Sequence, residues 1–200
     1  MSKRFFDLVF SSLVLTLFSP FFLLIALAIK LTSCGPFLYQ GRRVGLGGKT
    51  FLMYKFRTMV LDADRMGGPT TSEDDPRVTR IGALLRRYKL DELPQFINVF
   101  KGEMSVVGPR PDVEEVIRQY TKREQPILNL RPGITDYASL WDFDEGKAVK
   151  GAKDAHRAYM EKIWPTKVKL QLKYVREQSF LTDITIICKT IQQLFHGKKH

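Results

Sequence analysis

The chain has 200 residues, enough for one domain with a hydrophobic core and too few for two ordinary domains. Its 32 lysines and arginines outnumber its 21 aspartates and glutamates, so its formal net charge of +11 predicts polyanionic partners: nucleic acid, anionic lipid or phosphorylated metabolites. Two cysteines far apart and three histidines, two of them in a basic tail, argue against a disulfide framework, a zinc site and a histidine-based triad.

An uncharged apolar segment at residues 8–29 comes first. As a straight helix it would extend about 33 Å, enough to cross the core of a bilayer. The pair Ser19-Pro20 interrupts it, because proline lacks a backbone donor and a serine hydroxyl can satisfy a freed carbonyl. The sequence therefore predicts membrane association with a sharp break at Ser19 and Pro20.

Positive charges flank this segment on both sides, which favours both ends on the cytoplasmic face. The cations are Lys3, Arg4, Lys30, Arg42 and Arg43. We therefore expect residues 1–32 to form a re-entrant membrane segment and residues 33–200 a catalytic domain on the cytoplasmic face. A spanning helix and a buried core helix are the alternatives, and the absence of a small-residue cleavage site argues against a signal peptide.

Two strand-like runs, residues 37–40 and 51–56, predict a hairpin around a glycine-rich turn. The glycines match neither nucleotide-binding loop pattern. G-x-x-x-x-G-K-S/T needs glycine in place of Arg43, and G-x-G-x-x-G needs it in place of Thr50. We interpret them as turn residues, with Arg42 and Arg43 as candidate contacts to lipid phosphates.

The motif KFRTM at 55–59 places Lys55 and Arg57 on one side of an extended segment, which suits a diphosphate. A solvated strand face is the simpler alternative. Residues 62–75 are acidic and glycine-rich and predict a loop. The apolar spacing in residues 77–90 predicts an amphipathic helix that ends near the next motif.

That motif, LDELPQ at 90–95, contains the adjacent carboxylates Asp91 and Glu92. A helix over about residues 92–100 would place them at its amino-terminal end, where unpaired N–H groups favour ionised carboxylates. Such a carboxylate can act as nucleophile, general base or magnesium ligand. The plain alternative is a helix N-cap followed by a first-turn acid.

Further along, the GPRP turn at 108–111 restricts the backbone on both sides of Arg110, which favours a bidentate phosphate contact. Residues 112–124 predict a charged helix, and residues 130–136 a tight turn that presents Arg131. Residues 184–195 have the spacing of an amphipathic helix, followed by a basic tail at 196–200 that suits anionic lipid. The fold class expected is α/β, mostly α with a small β-sheet or hairpin and surface amphipathic helices.

Four motifs in order behind the Ser19-Pro20 segment resemble the bacterial sugar transferase family, the monotopic polyprenyl-phosphate phosphoglycosyl transferases. They are KFRTM at 55–59, LDELPQ at 90–95, MSVVGPRP at 104–111 and RPGIT at 131–135. The length is similar to that of small members that consist of the catalytic domain alone. After Thr135 the chain has DYASL, where the family more usually has G-x-A-Q.

The resemblance implies transfer of a sugar-1-phosphate from a UDP-sugar to polyprenyl (undecaprenyl) phosphate with release of UMP, the first membrane step of glycoconjugate biosynthesis. Asp91 would be the nucleophile that forms a covalent phosphosugar-aspartate intermediate, and Asp91 and Glu92 would bind Mg²⁺. The implied substrate-binding residues are Lys55, Arg57, Arg110 and Arg131. The implied location is the cytoplasmic face of the bacterial inner membrane, with membrane lipid and without nucleic acid as a partner.

Two other classes of protein are alternatives. One is a non-catalytic basic membrane protein that binds anionic lipid or nucleic acid, and the other is a different membrane phosphotransferase or phosphatase that uses the same carboxylates. Release of UMP distinguishes them from the proposed transfer. The motifs do not specify the sugar, the pathway, the residues that select the sugar or the oligomeric state, so a homo-oligomer is allowed.

Overall fold

The computed structural model describes residues 3–67, 71, 74–141, 151–152 and 154–196. The described part is mostly helical with two small two-stranded sheets, so the expected α/β class, mostly α with a small β-sheet or hairpin, is confirmed. The helices are α1 Lys3–Leu17, α2 Ser19–Thr32, α3 Ala63–Met66, α4 Arg80–Arg87, α5 Gln95–Lys101, α6 Glu114–Ile117, α7 Tyr137–Trp141, α8 Ala155–Lys162, α9 Trp164–Glu177 and α10 Phe180–His196. The strands are β1 Leu38–Val44, β2 Thr50–Phe56, β3 Ser105–Val107 and β4 Gly133–Thr135.

The apolar amino-terminal segment folds as two helices, α1 and α2, bent by 60° at a break at Phe18. Pro20 lies in the first turn of α2 and has no N–H to donate to the carbonyl of Thr16. The Ser19 hydroxyl donates to that carbonyl instead, at 2.8 Å. The predicted kink is therefore confirmed. In the described part of the chain no single helix is long and apolar enough to cross a membrane, whereas the bent pair together meets that test.

Helix α1 buries polar residues against the rest of the domain. The buried carboxylate of Asp7 accepts hydrogen bonds from the hydroxyl of Ser105 at 3.1 Å and the N–H of Val106 at 3.0 Å. Arg4 donates to two carbonyls at the end of α5, and Lys3 forms an ion pair with Asp183 on α10. The exposed face is apolar and includes Phe5, Val9, Leu13 and Leu17. A surface helix of a water-soluble protein buries its apolar face and exposes its polar face, and α1 does the opposite.

Strands β1 and β2 form the predicted antiparallel hairpin, with Leu38 opposite Phe56 and Val44 opposite Thr50. Pairing extends further than the sequence suggested, so Arg42 and Arg43 lie within β1 and not in the turn. Their backbones pair opposite Leu52 and Phe51, because the turn contracts to a 3-10 turn at Leu46–Gly48. The hairpin packs over α2 through Phe56, which is buried with Ile25 and Ile29.

The prediction of a tight turn at 130–136 is wrong. Residues Gly133–Thr135 form β4, which pairs in parallel with β3, and Ser105 lies opposite Gly133. The two segments approach very closely, because a Cβ atom at Gly133 would lie 2.1 Å from the backbone nitrogen of Gly108. Glycine at 108 and 133 therefore permits a backbone contact between two of the sequence motifs.

Other predicted elements differ mainly in extent. The charged helix expected over 112–124 contains only the single turn α6, and a helical turn, α3, lies within the loop expected at 62–75. The helix expected at 77–90 begins at Arg80 and ends at Arg87, and the helix expected from residue 92 begins at Gln95. The carboxy-terminal amphipathic helix is confirmed as α10, whereas residues 197–200 of the basic tail lie outside the described residues.

The main core joins the hairpin, α5, β3, α9 and α10 beneath the GPRP segment. Its buried members are Met53, Val99, Met104, Val106, Val107, Tyr174 and Ile186. This core fixes the relative positions of β2, α5 and β3, and the charged residues of the first three motifs lie on or beside these elements.

We predict that Gly133→Ala destabilises the fold strongly, because the added Cβ meets backbone atoms of Gly108 that have no room to shift. The expected cost is about 2 kcal/mol, or roughly 4–8 °C in Tm. Thermal unfolding in detergent measures it. Gly41→Ala is the control, because its Cβ would meet only side-chain atoms of Tyr39 and Arg43. Equal Tm values for the two variants would contradict the close contact.

Candidate active site

Asp91 and Glu92 lie in a 3-10 turn, Leu90–Glu92, directly before α5. Lys89 has a left-handed backbone, with φ of 55°, which ends the path of α4 and turns the chain into this segment. Such a conformation is uncommon outside glycine and marks a local constraint. The expectation that both carboxylates lie at the amino-terminal side of a helix holds, although the helix begins three residues after Glu92.

Glu92 is held by two cations from other parts of the chain. Lys55 on β2 donates to Oε1 at 2.7 Å. Arg110 in the GPRP segment donates through both terminal nitrogens, to Oε1 at 2.5 Å and to Oε2 at 3.2 Å. Burial opposes ionisation here, but the charges of Arg110 and Lys55 outweigh it and hold the pKa of Glu92 well below its ordinary value. Glu92 is therefore a fixed anion that orients two cations.

Asp91 has a different environment from its neighbour. Its side chain is buried, with 6% of the residue exposed, and Oδ1 has no hydrogen-bond partner among the described residues. Burial raises the pKa of Asp91, and the charge of Glu92 adds to that effect, while Lys55 and Arg86 oppose it. An ionised carboxylate with a poorly solvated, unoccupied oxygen is suited to nucleophilic attack or to binding a cation.

Arg86 and Lys89 belong to the same charge cluster, although the sequence argument did not include them among the site residues. Arg86 on α4 donates through Nε to the hydroxyl of Thr58 at 2.8 Å. Burial lowers the pKa of Arg86, and the charge of Asp91 acts in the opposite direction. In the sequence, nothing distinguishes Arg86 from Arg87 beside it. Only the packing of α4 shows which of the two arginines faces Asp91.

Two of the predicted substrate-binding residues make their observed contacts elsewhere. Arg57 is 7% exposed and donates through Nη2 to the carbonyl of Ser33, at 3.0 Å, and to its hydroxyl, at 2.6 Å. Arg131 is exposed and donates to the carbonyl of Gly102 at 3.0 Å. Lys55 and Arg57 have different partners here, because Lys55 donates to Glu92 and Arg57 to Ser33, while the N–H of Arg57 still pairs with the carbonyl of Phe37 at 2.9 Å beyond the end of β2. Contacts of Arg57 and Arg131 with a substrate therefore stay a prediction.

The carboxylate pair fits Mg²⁺ as a ligand set, although no group of three or more histidine, cysteine or acidic side chains suited to a metal occurs within the described residues. Mg²⁺ retains several waters and needs only one or two protein carboxylates. Among the described residues Asp91 Oδ1 accepts no hydrogen bond and Glu92 Oε2 accepts only one, from Arg110. These two carboxylate oxygens therefore have lone pairs available to bind a metal ion.

The segment DYAS at 136–139, where the chain differs from the more usual family pattern after the fourth motif, caps a helix. Asp136 is buried, and its Oδ1 accepts hydrogen bonds from the N–H of Ser139 at 2.7 Å and from its hydroxyl at 2.8 Å. Burial raises the pKa of Asp136, whereas these hydrogen bonds lower it. Aspartate at this position stabilises the start of α7, as an N-cap does elsewhere.

Comparison with known proteins identifies the class of this protein. The family described as bacterial sugar transferase matches residues 1–197. The chain belongs to the bacterial sugar transferase family. It is therefore an enzyme, a phosphoglycosyl transferase, and the resemblance of its four motifs is confirmed. The non-catalytic alternative receives no support.

Several named relatives are similar over almost the whole chain. The exopolysaccharide production protein ExoY of Sinorhizobium fredii is 38% identical, over 95% of this chain and 84% of the relative. The UDP-glucose:undecaprenyl-phosphate glucose-1-phosphate transferase of Escherichia coli is 40% identical, over 98% of this chain and 40% of the relative. The UDP-N-acetylgalactosamine-undecaprenyl-phosphate N-acetylgalactosaminephosphotransferase of Aeromonas hydrophila is 36% identical, over 98% and 44%.

We predict that Asp91→Asn raises the Tm at pH 7. Because burial raises the pKa of Asp91, the folded protein binds a proton there more readily than the unfolded chain does. The stabilising contribution of the protonated form is complete below the unfolded pKa and is lost as the pH rises through the folded pKa. The gain from asparagine should therefore be largest at neutral pH and shrink toward pH 4.

Thermal unfolding of the parent and of Asp91→Asn across this pH range measures the effect. Asp62→Asn is the control, because the Asp62 side chain is 70% exposed and its removal should leave the pH dependence unchanged. A lower Tm for Asp91→Asn at pH 7 would show that the surrounding cations stabilise the Asp91 charge.

Proposed function

We propose that this enzyme transfers a sugar-1-phosphate from a UDP-sugar to polyprenyl (undecaprenyl) phosphate and releases UMP. The named relatives from Escherichia coli and Aeromonas hydrophila act on these two classes of substrate. The observation that supports the assignment best is the buried, unpartnered oxygen of Asp91 within a cluster of cations. The cations that act on the carboxylate pair are Lys55, Arg86, Lys89 and Arg110.

The first step is attack by the Asp91 carboxylate on the β-phosphorus of the UDP-sugar. A new bond forms between the carboxylate oxygen and phosphorus, and the bond from phosphorus to the bridging oxygen breaks with its electron pair. UMP leaves, and the sugar-phosphate stays on Asp91 as an acyl phosphate. In the second step a phosphate oxygen of the polyprenyl phosphate attacks the same phosphorus, breaks the acyl phosphate bond and restores Asp91.

Lys55 and Arg110 stabilise the charge that develops on the transferred phosphoryl oxygens. Glu92 holds both cations in place before substrate binds, so little reorganisation is needed during the reaction. The planar guanidinium of Arg110 can bind two phosphate oxygens at once. Mg²⁺, bound by Asp91 and Glu92, would supply further neutralisation of the diphosphate when present.

We further propose that α1 and α2 form a re-entrant membrane segment, with the domain on the cytoplasmic face of the bacterial inner membrane. The 60° bend at Phe18 and the apolar outer faces of both helices support this arrangement. Lys3 and Arg4 are bound to the domain at one end of the pair, and Lys30 lies at the other. This position lets a lipid-linked phosphate meet a water-soluble nucleotide sugar.

The first experiment measures UMP release from a panel of UDP-sugars by the detergent-solubilised enzyme with Mg²⁺ and polyprenyl phosphate. The parent is expected to release UMP, and Asp91→Asn to lose activity by about three orders of magnitude or more, because the nucleophile is removed. The parent should also retain label from a sugar-labelled donor after denaturation, and Asp91→Asn should not.

Asp62→Asn is the matched control, because it removes one exposed carboxylate and should keep the parental rate. Equal UMP release by Asp91→Asn would reject Asp91 as the nucleophile. Release of UDP or inorganic phosphate by the parent would reject the proposed transfer in favour of another phosphotransfer or a phosphatase.

The re-entrant topology predicts that both ends of the α1–α2 pair face the cytoplasm. Ser2→Cys, in a chain with both natural cysteines replaced by serine, should resist an impermeant maleimide in intact spheroplasts and react after lysis. Leu46→Cys, in the exposed hairpin turn, is the control for the domain side. Labelling of Ser2→Cys from outside, with Leu46→Cys protected, would show a spanning helix instead.

A further inference from the structure

An apolar pocket of about 190 Å³ adjoins the carboxylate site. Its walls come from α1, α5, β4, α7 and α10, so it lies between the amino-terminal helix and the carboxy-terminal helix. Its apolar lining includes Phe10, Leu93, Phe96, Ile134, Leu140 and Ile187. The lining also contains three charged residues, Lys89, Glu92 and Arg110, and the last two are hydrogen-bonded to each other.

The size and lining of the pocket suit a small hydrocarbon group. Cavities of about 150 Å³ lined by leucine, isoleucine and phenylalanine stay dry and bind benzene. A branched five-carbon unit is of comparable size. The four uncharged polar side chains of the lining are Thr135, Ser139, Thr190 and Gln193. They already hydrogen-bond within the protein, apart from Oε1 of Gln193, so a sugar would bury several hydroxyl groups with few partners, which costs free energy. The pocket therefore favours hydrocarbon over the sugar of the donor.

The charged and the exposed parts of the lining indicate what is attached to that hydrocarbon. Lys89 and Arg110 supply positive charge beside Glu92, which suits a phosphate group. At the outer rim Ile191 and Leu194 of α10 are 45% and 41% exposed, so the pocket opens onto an apolar surface. The neighbouring face of α1 exposes Val9 and Leu13. A ligand that fits has a phosphate, then a branched hydrocarbon, then a long apolar tail.

We propose that this pocket binds the first isoprene unit of a prenyl phosphate acceptor, with α10 as the wall that selects for it. The proposal rests on the proposed function, since it locates the hydrocarbon of the acceptor within the same site. The phosphate lies toward Arg110 and Lys89, and the rest of the chain leaves between Ile191 and Leu194. Residues of α10, which lie outside the four motifs, thereby contribute to selecting a prenyl phosphate as the acceptor.

The kinetic test fills the rim of the pocket. Ile191→Trp is expected to lower kcat/KM for polyprenyl phosphate by about tenfold or more. The tryptophan would displace the first isoprene unit, and burial of an aliphatic group as large as an isoprene unit contributes roughly tenfold or more to kcat/KM. In a double-displacement reaction kcat/KM for the UDP-sugar should stay unchanged. Leu181→Trp is the matched control, because Leu181 is on the same helix, is 77% exposed and does not line the pocket.

A binding test works without turnover. Ile191→Cys, in a chain with Cys34 and Cys188 replaced by serine, is labelled with a maleimide in the presence of geranyl phosphate, inorganic phosphate or UDP-glucose. Both natural cysteines are exposed and would otherwise react. Geranyl phosphate is expected to slow labelling several-fold, and inorganic phosphate and UDP-glucose to have little effect.

The outcomes separate this proposal from the proposed function. Protection by UDP-glucose equal to that by geranyl phosphate would assign the pocket to the donor, and no protection by either would show that it binds neither; both results overturn the proposal. If the parent transfers sugar-phosphate and Ile191→Trp uses the acceptor as the parent does, the function stands and the pocket assignment fails. If the parent has no activity with any UDP-sugar, protection by geranyl phosphate still supports the pocket, whereas the proposed function fails.

Discussion

The paired contact of Glu92 with Lys55 and Arg110 is the interaction on which the site depends. It joins a strand of the hairpin, the turn before α5 and the GPRP segment, which are far apart in the sequence. Buried ion pairs contribute little net stability, because desolvation offsets most of the attraction. The contact of Glu92 with Lys55 and Arg110 matters for geometry instead, because it holds these two cations in place near Asp91. The proposed diphosphate site thus has its cations in place before a substrate binds.

The backbone around Arg110 is fixed as firmly as its side chain. The carbonyl of Pro109 accepts a hydrogen bond from the N–H of Gly133 at 2.9 Å, and Gln171 donates to the carbonyl of Arg110 at 3.2 Å. The close approach of Gly108 and Gly133 allows the first of these two bonds to form. The third and fourth motifs thus pack against each other through their backbones and form one structural unit. The position of Arg110, the proposed phosphate-binding residue, therefore depends on Gly108, Gly133 and Gln171.

Local signals predicted the parts of the fold that depend on local physics. The hairpin, the kink at Ser19-Pro20 and the amphipathic α10 follow from alternation, a missing donor and helical spacing. Strand β4 could not be predicted in this way, because proline and glycine favour a turn and only the distant partner β3 makes Gly133–Thr135 a strand. In the site, motifs indicated Asp91, Glu92, Lys55 and Arg110. The partners of Arg57 and the proximity of Arg86 depend on packing across elements, which no spacing encodes.

Helix α1 has a consequence for how the protein is made and how it can be altered. Its buried Asp7 accepts hydrogen bonds from β3, and Arg4 and Lys3 bind α5 and α10, so the helix completes the domain that follows it. Its other face is apolar. Helix α1 is therefore an integral part of the domain. Its exchange for a generic hydrophobic helix would leave the hydrogen-bond donors of Ser105 and Val106 in β3 unpaired and would expose the core. During synthesis α1 is made before α5, β3 and α10, so its polar side chains must wait for all three of these partners.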